Sequence, residues 1–554
     1  MRSLACVLLA FVLSGCGGED SGAPANGGGS GGTSASGGGG GSGATGGGGS
    51  GGKPGAFTPP IGIPAPEFGI EEKAPALPSP WSDEVAGFYY VEAANCDDAR
   101  AQGRPGAPRC TIPATLPAGA LVALSGQLDE DQSFTAQGSA ASPVFVVGFD
   151  GAKPPLVTSY LSALGSFVVV EHVNFGPRDA ADDDFGFGSS EGSHHVVLRH
   201  AELSGNLNRA GGIGLGSWSY SGAESLSFTV IYHVSVHDLG TLDANWDQDA
   251  HCVTVNGSVD HLWVLDSELR NCSGDGIQIE AQEARRDKIH HVYYGRNSTH
   301  DNRQSGGWVK HASDVIFSQN VAYGIRNNSG GPGACFGQQY GPERVWYVAN
   351  EAHHCNVGIL TGSGDPPGDG QNTYLVGNVI HDTDSENVGD PYNSGCISLR
   401  GPGSVWVVND TCTNTDGGVF APPGLDALHV WNTIVRRAPA TQNSTWDLYT
   451  EGSVSLDVKN SIFSQNPSFT DGNDQTTCAG LANFAAVSGC STSDPLFVSA
   501  TDFHLQAGSP AVDQGIDADV YAAFEAAYGT SIRFDASGTP RPAGAGWDIG
   551  AYER

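Results

Sequence analysis

The feature that most constrains the fold is an internal repeat that begins at about residue 166. Short runs of β-branched and aromatic residues recur along the chain, and each run ends near a His, Ser or Asn. This polar residue returns every 23 to 34 residues, at His172, His200, His233, Ser267, Asn297, Asn320, Asn350, Asn378, Asn409, Asn432 and Asn460. A repeat of this length indicates supersecondary units stacked on one another.

The repeated runs have the character of β-strands. They are short, they are bounded by Gly, Asn, Asp and Ser, and they show no periodicity of 3.6 residues. One strand-bearing coil per repeat predicts an all-β right-handed parallel β-helix of about eleven coils. The recurring asparagines would then hydrogen-bond from coil to coil inside a turn. A β-propeller would need longer blades, and a leucine-rich repeat would show a leucine frame that this chain lacks.

Aligning the repeats on these polar residues predicts which strands lie over one another. Residues 276–280 stack against residues 306–310. Because side chains alternate along a strand, two outward-facing pairs result, namely Gln278 with Trp308 and Glu280 with Lys310. Lys310 is therefore expected on the surface, about 4.8 Å from the strand that carries Glu280.

The N-terminus reads MRSLACVLLAFVLSGCGGED, with an apolar core too short to span a bilayer as a helix. The letters LSGC at residues 13–16 resemble the bacterial lipoprotein signal, which implies cleavage before a lipidated Cys16. An ordinary secretory signal with an incidental cysteine is the alternative. With Gly17 after the cysteine, the resemblance implies a lipoprotein of the outer membrane or cell surface, with the periplasm as the alternative. The lipid would be the only contact with the membrane.

Composition divides the chain into five segments. Residues 1–15 form the signal, and residues 16–87 form a linker that is Gly/Ser-rich, then Pro-rich, and has little apolar surface to bury in its first part. Residues 88–165 form an N-terminal β cap region, residues 166–470 the β-helix and residues 471–554 a C-terminal β module. Residues 88–165, through "FYYVEAANCDDARAQGRPGAPRC", and residues 471–554, through "WDIGAYER", resemble the two ends of exported bacterial β-helix proteins.

The cysteines support the same alignment. Ten remain after Cys6 and Cys16, an even number in an exported chain, where disulfides are the rule. Two pairs occupy equivalent positions, 15 residues before and 5 residues after a repeat residue, and they predict the bridges Cys252–Cys272 and Cys335–Cys355. The local pairings left over are Cys96–Cys110, Cys396–Cys412 and Cys478–Cys490.

The formal net charge of −34 argues against a nucleic acid partner, because such a surface repels polyanions. No zinc-type or redox CxxC pair occurs. We expect a monomer.

One segment, residues 285–326, departs from the overall charge. It holds seven basic residues, Arg285, Arg286, Lys288, Arg296, Arg303, Lys310 and Arg326, against Asp287, Asp301 and Asp314. With Trp308 among them, such a basic island suits an acidic polysaccharide whose sugars stack on an aromatic ring. The alternative is a set of unrelated solvated charges on turns.

Carboxylates precede the strands of the same region, at Asp247, Asp249 and Asp275. Oxygen ligands at the ends of neighbouring coils would converge on a hard cation, most plausibly Ca²⁺. The alternative is ordinary turn chemistry, since Asp and Gly are common turn residues.

The succession of Asp249, "GDGIQ" and "GGWVK" at spacings of about one coil resembles β-helical polysaccharide lyases, especially pectate lyases that pair a Ca²⁺ cluster with a lysine base. The resemblance implies Lys310 as the base, with Arg303 or Arg326 supplying positive charge. Substrate-binding residues would be Trp308, Arg296, Gln278 and His311. The consecutive aspartates of that family are absent, and Glu280 would raise the pKa of Lys310, which is unfavourable for a base. A metal-free site, in which an arginine neutralises the substrate carboxylate, is therefore the alternative to the metal-dependent one.

These observations predict a surface-anchored protein that cleaves an acidic, uronate-containing polysaccharide by β-elimination. A non-catalytic glycan-binding protein or adhesin, and a C5-epimerase, are the alternatives. Hydrolysis ranks lower, because the adjacent aspartates and Gly-His-Gly of β-helical glycoside hydrolases do not occur.

Overall fold

The structure is a computed structural model, and it describes residues 57–176, 185–207, 212–243, 248–326, 328, 331–361, 372–383, 394–438, 446–452 and 454–554. Within these residues, parallel strands pair from one coil to the next and form three long sheets, here called A, B and C. Most coils contribute a strand to sheet C, then to sheet A, then to sheet B. The predicted all-β parallel β-helix is confirmed.

Sheet A consists of β1 (Phe88–Glu92), β3 (Leu121–Ser125), β6 (Val144–Gly148), β8 (Leu161–Glu171), β11 (His194–Ser204), β13 (Leu226–Leu239), β15 (Val259–Leu265), β18 (Ile289–Gly295), β21 (Ser313–Ser318), β24 (Glu343–Val348), β27 (Asn372–Val376), β30 (Ser404–Val408), β33 (Ala427–Trp431), β36 (Ser455–Ile462) and β38 (Ala486–Ser491).

Sheet B consists of β4 (Gln127–Leu128), β7 (Leu156–Val157), β9 (Asn174–Phe175), β16 (Glu268–Cys272), β19 (Ser298–His300), β22 (Val321–Tyr323), β25 (Glu351–His353), β28 (Val379–His381), β31 (Thr411–Thr415) and β34 (Ile434–Arg437), and of the second parts of β11, β13 and β36.

Sheet C consists of β2 (Thr115–Pro117), β5 (Gln132–Gln137), β10 (Phe187–Ser189), β12 (Ile213–Leu215), β14 (Val253–Val255), β17 (Ile277–Glu280), β20 (Ser305–Lys310), β23 (Ala334–Gln339), β26 (Val357–Thr361), β29 (Gly395–Ser398), β32 (Val419–Ala421), β35 (Leu448–Thr450) and β37 (Phe469–Thr470), and of the first part of β8.

The number of coils agrees with the repeat. Eleven strands of sheet A, from β8 to β36, stand next to the eleven polar residues that define it. In the described part of the chain, β1, β3 and β6 precede these strands in the same sheet and β38 follows them. Residues 88–165 therefore continue the stack of coils through parallel pairing.

The predicted register across sheet C is also confirmed. Strand β17 pairs with β20 so that Gln278 lies beside Trp308 and Glu280 beside Lys310. Inward side chains such as Ile279 and Val309 are fully buried in the interior of the solenoid. The outward side chains of these strands are thereby fixed in columns, one coil apart.

The polar ladder forms inside the turn between sheets A and B. The backbone N–H and side-chain Nδ2 of Asn297 both donate to Oδ1 of Asn320, at 2.9 and 3.0 Å. In the same way, Asn320 donates from both groups to Oδ1 of Asn350, and Asn350 donates to Oδ1 of Asn378. Each ladder amide also donates to a backbone carbonyl, as Asn320 does to Tyr294. The ladder satisfies polar groups that would otherwise be buried without partners.

The ladder is shifted by one residue at both ends relative to the sequence alignment. At one end, Asp410 lies beside Asn378 in the register of sheet B, so Asn409 lies outside the ladder. At the other end, Val234 lies beside Ser267, so His233 lies outside it. The residues that the repeat marks there, His172, His200, His233, Asn409, Asn432 and Asn460, have positive φ values of 44 to 56°. They occupy the left-handed corner of the turn, a conformation that Asn tolerates better than most residues.

All five predicted disulfides are present: Cys96–Cys110, Cys252–Cys272, Cys335–Cys355, Cys396–Cys412 and Cys478–Cys490. Each closes a loop of 12 to 20 residues, which would contribute on the order of 2–4 kcal/mol each. Five bridges are typical of proteins that fold in an oxidising compartment outside the cytoplasm.

The outward side of sheet A is covered by the two ends of the described chain. Part of the predicted linker packs there, with Ile63 only 1% exposed and the indole N–H of Trp263 donating to the carbonyl of Pro64. From the other end, α2 (Asp519–Tyr528) packs Phe524 edge-on against Trp346. The C-terminal part of the predicted linker, residues 16–87, is thus packed against the β-helix. A short α1 (Cys478–Leu481) and a 3₁₀ turn (Glu283–Arg285) complete the helices described.

None of the helices in the described ranges combines the length and apolar character needed to cross a membrane. Cys16 and the signal of residues 1–15 lie outside the described residues.

Candidate functional site

A groove follows the outward side of sheet C. It consists of two adjoining cavities of about 190 and 490 Å³. Both are lined by Asp249, Gln278 and Lys310, so they meet at these three residues. We call the pair of cavities the sheet C groove.

Lys310 lies where the two cavities meet, at the end of β20. Its Nζ is 3.0 Å from Oε2 of Glu280, one coil away, and both side chains are less than a fifth exposed. Burial lowers the pKa of Lys310, but Glu280, Asp275 and Asp249 outweigh burial, and the pKa is raised overall. Lys310 is therefore a charged partner of Glu280 in the absence of a ligand.

Asp275 is held in a buried network in the wall of the groove. It is 2% exposed, and its two oxygens accept from Oγ of Ser305 at 2.5 Å and from Nε2 of Gln278 at 3.3 Å. Its backbone N–H donates to Nδ1 of His251 at 2.8 Å. That nitrogen is therefore an acceptor, and the 3.3 Å contact between His251 and the Asp275 carboxylate is not an ion pair.

The predicted Ca²⁺ site is only partly described, because Asp247 lies outside the described residues. Asp249 is exposed and accepts a hydrogen bond from Gln304 at 2.9 Å, whereas both oxygens of Asp275 already have donors. Neither carboxylate belongs to a group of three close metal-binding side chains in the described part of the chain. The described residues do not by themselves fit a Ca²⁺ site, so calcium remains a prediction.

The two arginines expected near Lys310 do not line the groove among its described residues. Arg303 is 4% exposed, and its Nη1 lies 3.5 Å from the carbonyl oxygen of Ser273, within the turn before β20. Arg326 follows β22 at the next turn, where its carbonyl accepts from Asn328. Their predicted role of supplying positive charge to a bound carboxylate has no support from these positions.

Arg296 is a clear departure from the expected site. It occupies the left-handed corner of the turn between sheets A and B, where its Nε and Nη2 bind both oxygens of Asp266 at 2.7 and 2.8 Å. Its Nη1 donates to the carbonyl of Thr58 in the N-terminal segment. This arginine therefore holds a terminal segment in place, on a different face from Lys310.

The basic residues at 285–326 are dispersed over different faces of the β-helix. Arg285 donates to the carbonyls of Tyr220 and Gly222, Arg286 lies near Glu283, and Lys288 lies 3.3 Å from Asp287. A β-helix places residues ten apart on different faces, so a cluster in the sequence is not a cluster in space. The described lining of the sheet C groove, with one lysine and the carboxylates Asp249, Asp275 and Glu280, is acidic.

Trp308 and His311 are more enclosed than a sugar-stacking residue needs to be. Trp308 is 8% exposed and packs with Ala334, Val357 and Leu360. A side chain at Gly337 would clash with the Trp308 ring, so only glycine permits this packing. His311 donates from Nδ1 to the carbonyl of Ala281 and stacks on Tyr340, and burial lowers its pKa.

Several residues that line the groove were not predicted from the sequence. Trp218 lines the larger cavity and is 49% exposed, and Tyr340 lines the smaller one. Gln304 and Gln339 add side-chain amides. The sequence signal for Trp218 was its setting in the polar loop "GSWSYSG", where a buried role is improbable.

No protein-family model matches the chain, and no curated protein matches its sequence. Solved structures match at low identity. A structure described as pectate lyase Pel9A is 11% identical, covers 84% of this chain and 96% of its own, and gives a TM-score of 0.35. A PL6 alginate lyase in complex with a trisaccharide is 8% identical over 77% and 92% of the two chains, with a TM-score of 0.42.

The mannuronan C-5 epimerase AlgE4 A-module of Azotobacter vinelandii is 15% identical, covers 57% of this chain and 84% of its own, and gives a TM-score of 0.37. At these identities and TM-scores the similarities carry no argument about reaction or substrate. What the chain does has to be argued from its own groove.

Proposed function

We propose that this chain binds a polysaccharide in the sheet C groove and cleaves it by β-elimination at Lys310. The observation that carries the proposal is the position of Lys310, the one lysine on the groove's described lining, where the two cavities meet. A polymer lying along the groove would pass this amine with sugar residues on both sides.

The lining suits a glycan. Side-chain amides and hydroxyls, including Gln278, Gln339 and Thr254, offer donors and acceptors to sugar hydroxyls, while Trp218 and Tyr340 offer aromatic surface. The strand residues of the lining come from β14, β17, β20 and β23, which are four successive coils and correspond to roughly 14 Å from first to last. That length accommodates several sugar residues.

The proposed reaction needs Lys310 without its proton. Neutral Lys310 would take the proton from C5 of a uronate residue, the C4–O bond would break, a C4–C5 double bond would form, and the leaving oxygen would take up a proton. Because Glu280 helps to raise the pKa of Lys310, activity should rise toward alkaline pH. The described carboxylates of the groove do not form a Ca²⁺ site, so the comparison of Ca²⁺ with EDTA below tests whether the reaction needs this cation.

A second candidate is glycan binding without catalysis. The contact of 3.0 Å between Lys310 and Glu280 favours it, because a paired lysine keeps its proton at neutral pH. A C5-epimerase shares the first proton transfer and differs in returning a proton to the opposite face of C5.

The test is incubation with pectate, alginate and glycosaminoglycans, with Ca²⁺ and with EDTA, following the ultraviolet absorbance of the unsaturated product. Lys310→Ala should abolish the product, whereas Lys288→Ala, at an outer turn, should not change it. Glu280→Gln removes a carboxylate that raises the pKa of Lys310, so the rising limb of the pH–rate profile should move to lower pH.

Each other outcome has a distinct meaning. Binding to a polymer without product would support the second candidate, and a changed uronate composition without chain cleavage would support the epimerase. Full lyase activity of Lys310→Ala would exclude Lys310 as the base.

The surface location is proposed separately, since Cys16 lies outside the described residues. We expect the mature chain to begin at a lipidated Cys16, which mass spectrometry of its N-terminal peptide would detect. A mature N-terminal peptide without lipid, as an ordinary secretory signal would leave, would contradict the proposed anchor.

A further inference from the structure

A group of imidazoles and a carboxylate lies at the start of two neighbouring strands of sheet A, away from sheet C. Asp260 of β15 pairs in register with His290 of β18, one coil apart. The next residues, His261 and His291, stack their rings with centroids 4.6 Å apart and planes 7° from parallel. We call these four residues the histidine cluster.

The nitrogen and oxygen atoms of the cluster face one another. Nδ1 of His290 lies 3.1 Å from Oδ1 of Asp260 and 2.8 Å from Nδ1 of His291. The same Asp260 oxygen lies 2.5 Å from Nδ1 of His261. Ligand atoms of Asp260, His290 and His291 all fall within 4.8 Å of one another, the one such group of three found among the described residues.

These spacings fit a small metal ion. A tetrahedral ion with bonds of about 2.05 Å to nitrogen separates its ligands by roughly 3.3 Å, a little more than the 3.1 and 2.8 Å from Nδ1 of His290 to Asp260 and to His291. Two imidazoles and one carboxylate are ligands that suit Zn²⁺ and its first-row neighbours, whereas Ca²⁺ takes oxygen ligands. The side chains of Asp260 and His290 are 29% and 31% exposed, which gives an ion access and leaves a position for water.

The chain contains a comparison that isolates the role of the carboxylate. His194 and His195 face each other in the same way, with Nδ1 atoms 2.9 Å apart. The residues beside His194 in the neighbouring coils are Ser166 and Ser227 instead of an aspartate. The pair at 194–195 thus has the imidazoles but not the anionic ligand, and it forms no three-ligand group.

We infer that the histidine cluster binds one divalent first-row transition metal ion, of the Zn²⁺ class, through Asp260, His290 and His291. The ion joins two adjacent coils of sheet A, and His261 orients Asp260 from the other side. This site is independent of the sheet C groove and of the reaction proposed there.

The stacked column supplies a variant that should fold. Phe167 and Phe228 occupy the positions equivalent to His291 in earlier coils, with φ values of 48 and 52° against 56°, and the column Phe167–His195–Phe228–His261–His291 stacks ring on ring. His291→Phe therefore keeps the ring and the backbone and removes only the ligand. Asp260→Ser reproduces the arrangement at His194, and His195→Phe is the matched control.

The experiment uses the full chain without an affinity tag, stripped with a chelator and titrated with Zn²⁺ by calorimetry. We expect one saturable equivalent for the wild type and for His195→Phe, a loss of affinity of at least tenfold in His291→Phe and Asp260→Ser, and a rise in melting temperature on adding Zn²⁺ only where binding persists. Co²⁺ substitution should give the absorption bands of a tetrahedral site. Absence of a saturable equivalent in the wild type, wild-type affinity in either variant, or equal loss in His195→Phe would overturn the inference.

Discussion

Asp410 shows how a single residue in this fold acquires properties from its neighbours in other coils. It is fully buried, and its Oδ1 accepts from the backbone N–H and the side chain of Asn378 at 2.6 and 2.9 Å. Its Oδ2 is buried and has no hydrogen-bond partner among the described residues. Burial raises the pKa of Asp410 to about 8, against the donors of Asn378, which lower it.

The unpartnered oxygen stands where the ladder places an amide N–H₂. In the preceding rungs, the side-chain N–H₂ donates to a backbone carbonyl of the previous coil. Asn350 donates to Phe317, three residues before Asn320, and Asn378 donates to Tyr347, three residues before Asn350. The same pattern at Asp410 points to the carbonyl of Leu375. An ionised carboxylate would oppose that carbonyl, whereas a carboxylic acid or an amide would donate to it.

Asp410→Asn should therefore stabilise the protein, and more so as the pH rises. Because the folded pKa lies above the unfolded one, the folded state binds more protons between about pH 4 and 8, and wild-type stability falls through that window. Asparagine does not titrate, so its advantage in unfolding free energy should grow from pH 5 to pH 8, where we expect at least about 1 kcal/mol. Thermal and urea unfolding at several pH values measure it.

The exposed Asp243 is the matched control, since Asp243→Asn should change stability little at any pH. An advantage of Asp410→Asn that does not vary with pH, or a loss of stability, would contradict the account of Asp410 as a buried acid.

At the scale of the elements, each turn between sheets A and B carries two adjacent positions with different demands. The inward position holds the ladder amide, as at Asn320, and the preceding corner position has a positive φ, as at Gln319 or Asn432. Asparagine suits both, because its short amide bonds inside the turn and also tolerates the left-handed conformation. Residue type in the sequence therefore cannot distinguish the two positions, which explains the one-residue shift.

Asn320→Ala tests the contribution of one rung. It removes the acceptor for the N–H and Nδ2 groups of Asn297 and the donor to the carbonyl of Tyr294, all of them buried. Groups left without partners cost about 1–3 kcal/mol each, and we expect a loss of roughly 2–4 kcal/mol in urea unfolding. Asn473→Ala, at an exposed turn, should cost far less, and equal losses would show that the ladder is not the cause.

At the scale of the whole molecule, the described terminal segments pack along the solenoid away from sheet C. The corner asparagines bind the C-terminal segment. Asn409 donates to the carbonyl of Asp548, and Asn432 exchanges two hydrogen bonds with the backbone of Ile516, at 2.7 and 2.9 Å. Together with α2 and the N-terminal segment on sheet A, these contacts involve none of the described residues that line the sheet C groove.

Asn432→Gly tests this attachment. Glycine retains the positive φ of 51° but removes both side-chain bonds to Ile516. We expect faster amide hydrogen exchange in residues 514–528, with little change in sheet C. Asn414→Gly makes the same substitution at an exposed corner of similar φ. Unchanged exchange near Ile516 would show that the asparagine does not hold the segment.

The coil of the β-helix could be predicted from periodicity in the sequence. Repeat length, strand composition and the spacing of cysteines predicted the parallel β-helix, the register of β17 against β20 and all five disulfides. The fold and the register depend on neighbouring coils about 30 residues apart, and a repeat carries that information directly, while the disulfides join cysteines only 12 to 20 residues apart. The pairing of Glu280 with Lys310 follows from the same register.

The side chains on each face of the solenoid depend on the tertiary structure. It separated Arg296, Arg303 and Lys310, which are close in sequence, because successive strands of one coil point to different faces of the solenoid. It enclosed Trp308, brought Trp218 to the groove, and joined Asp260 to His290 and His291. Such contacts depend on loop paths and terminal segments that have no repeat, so neither the acidic character of the groove nor the histidine cluster could be inferred from periodicity.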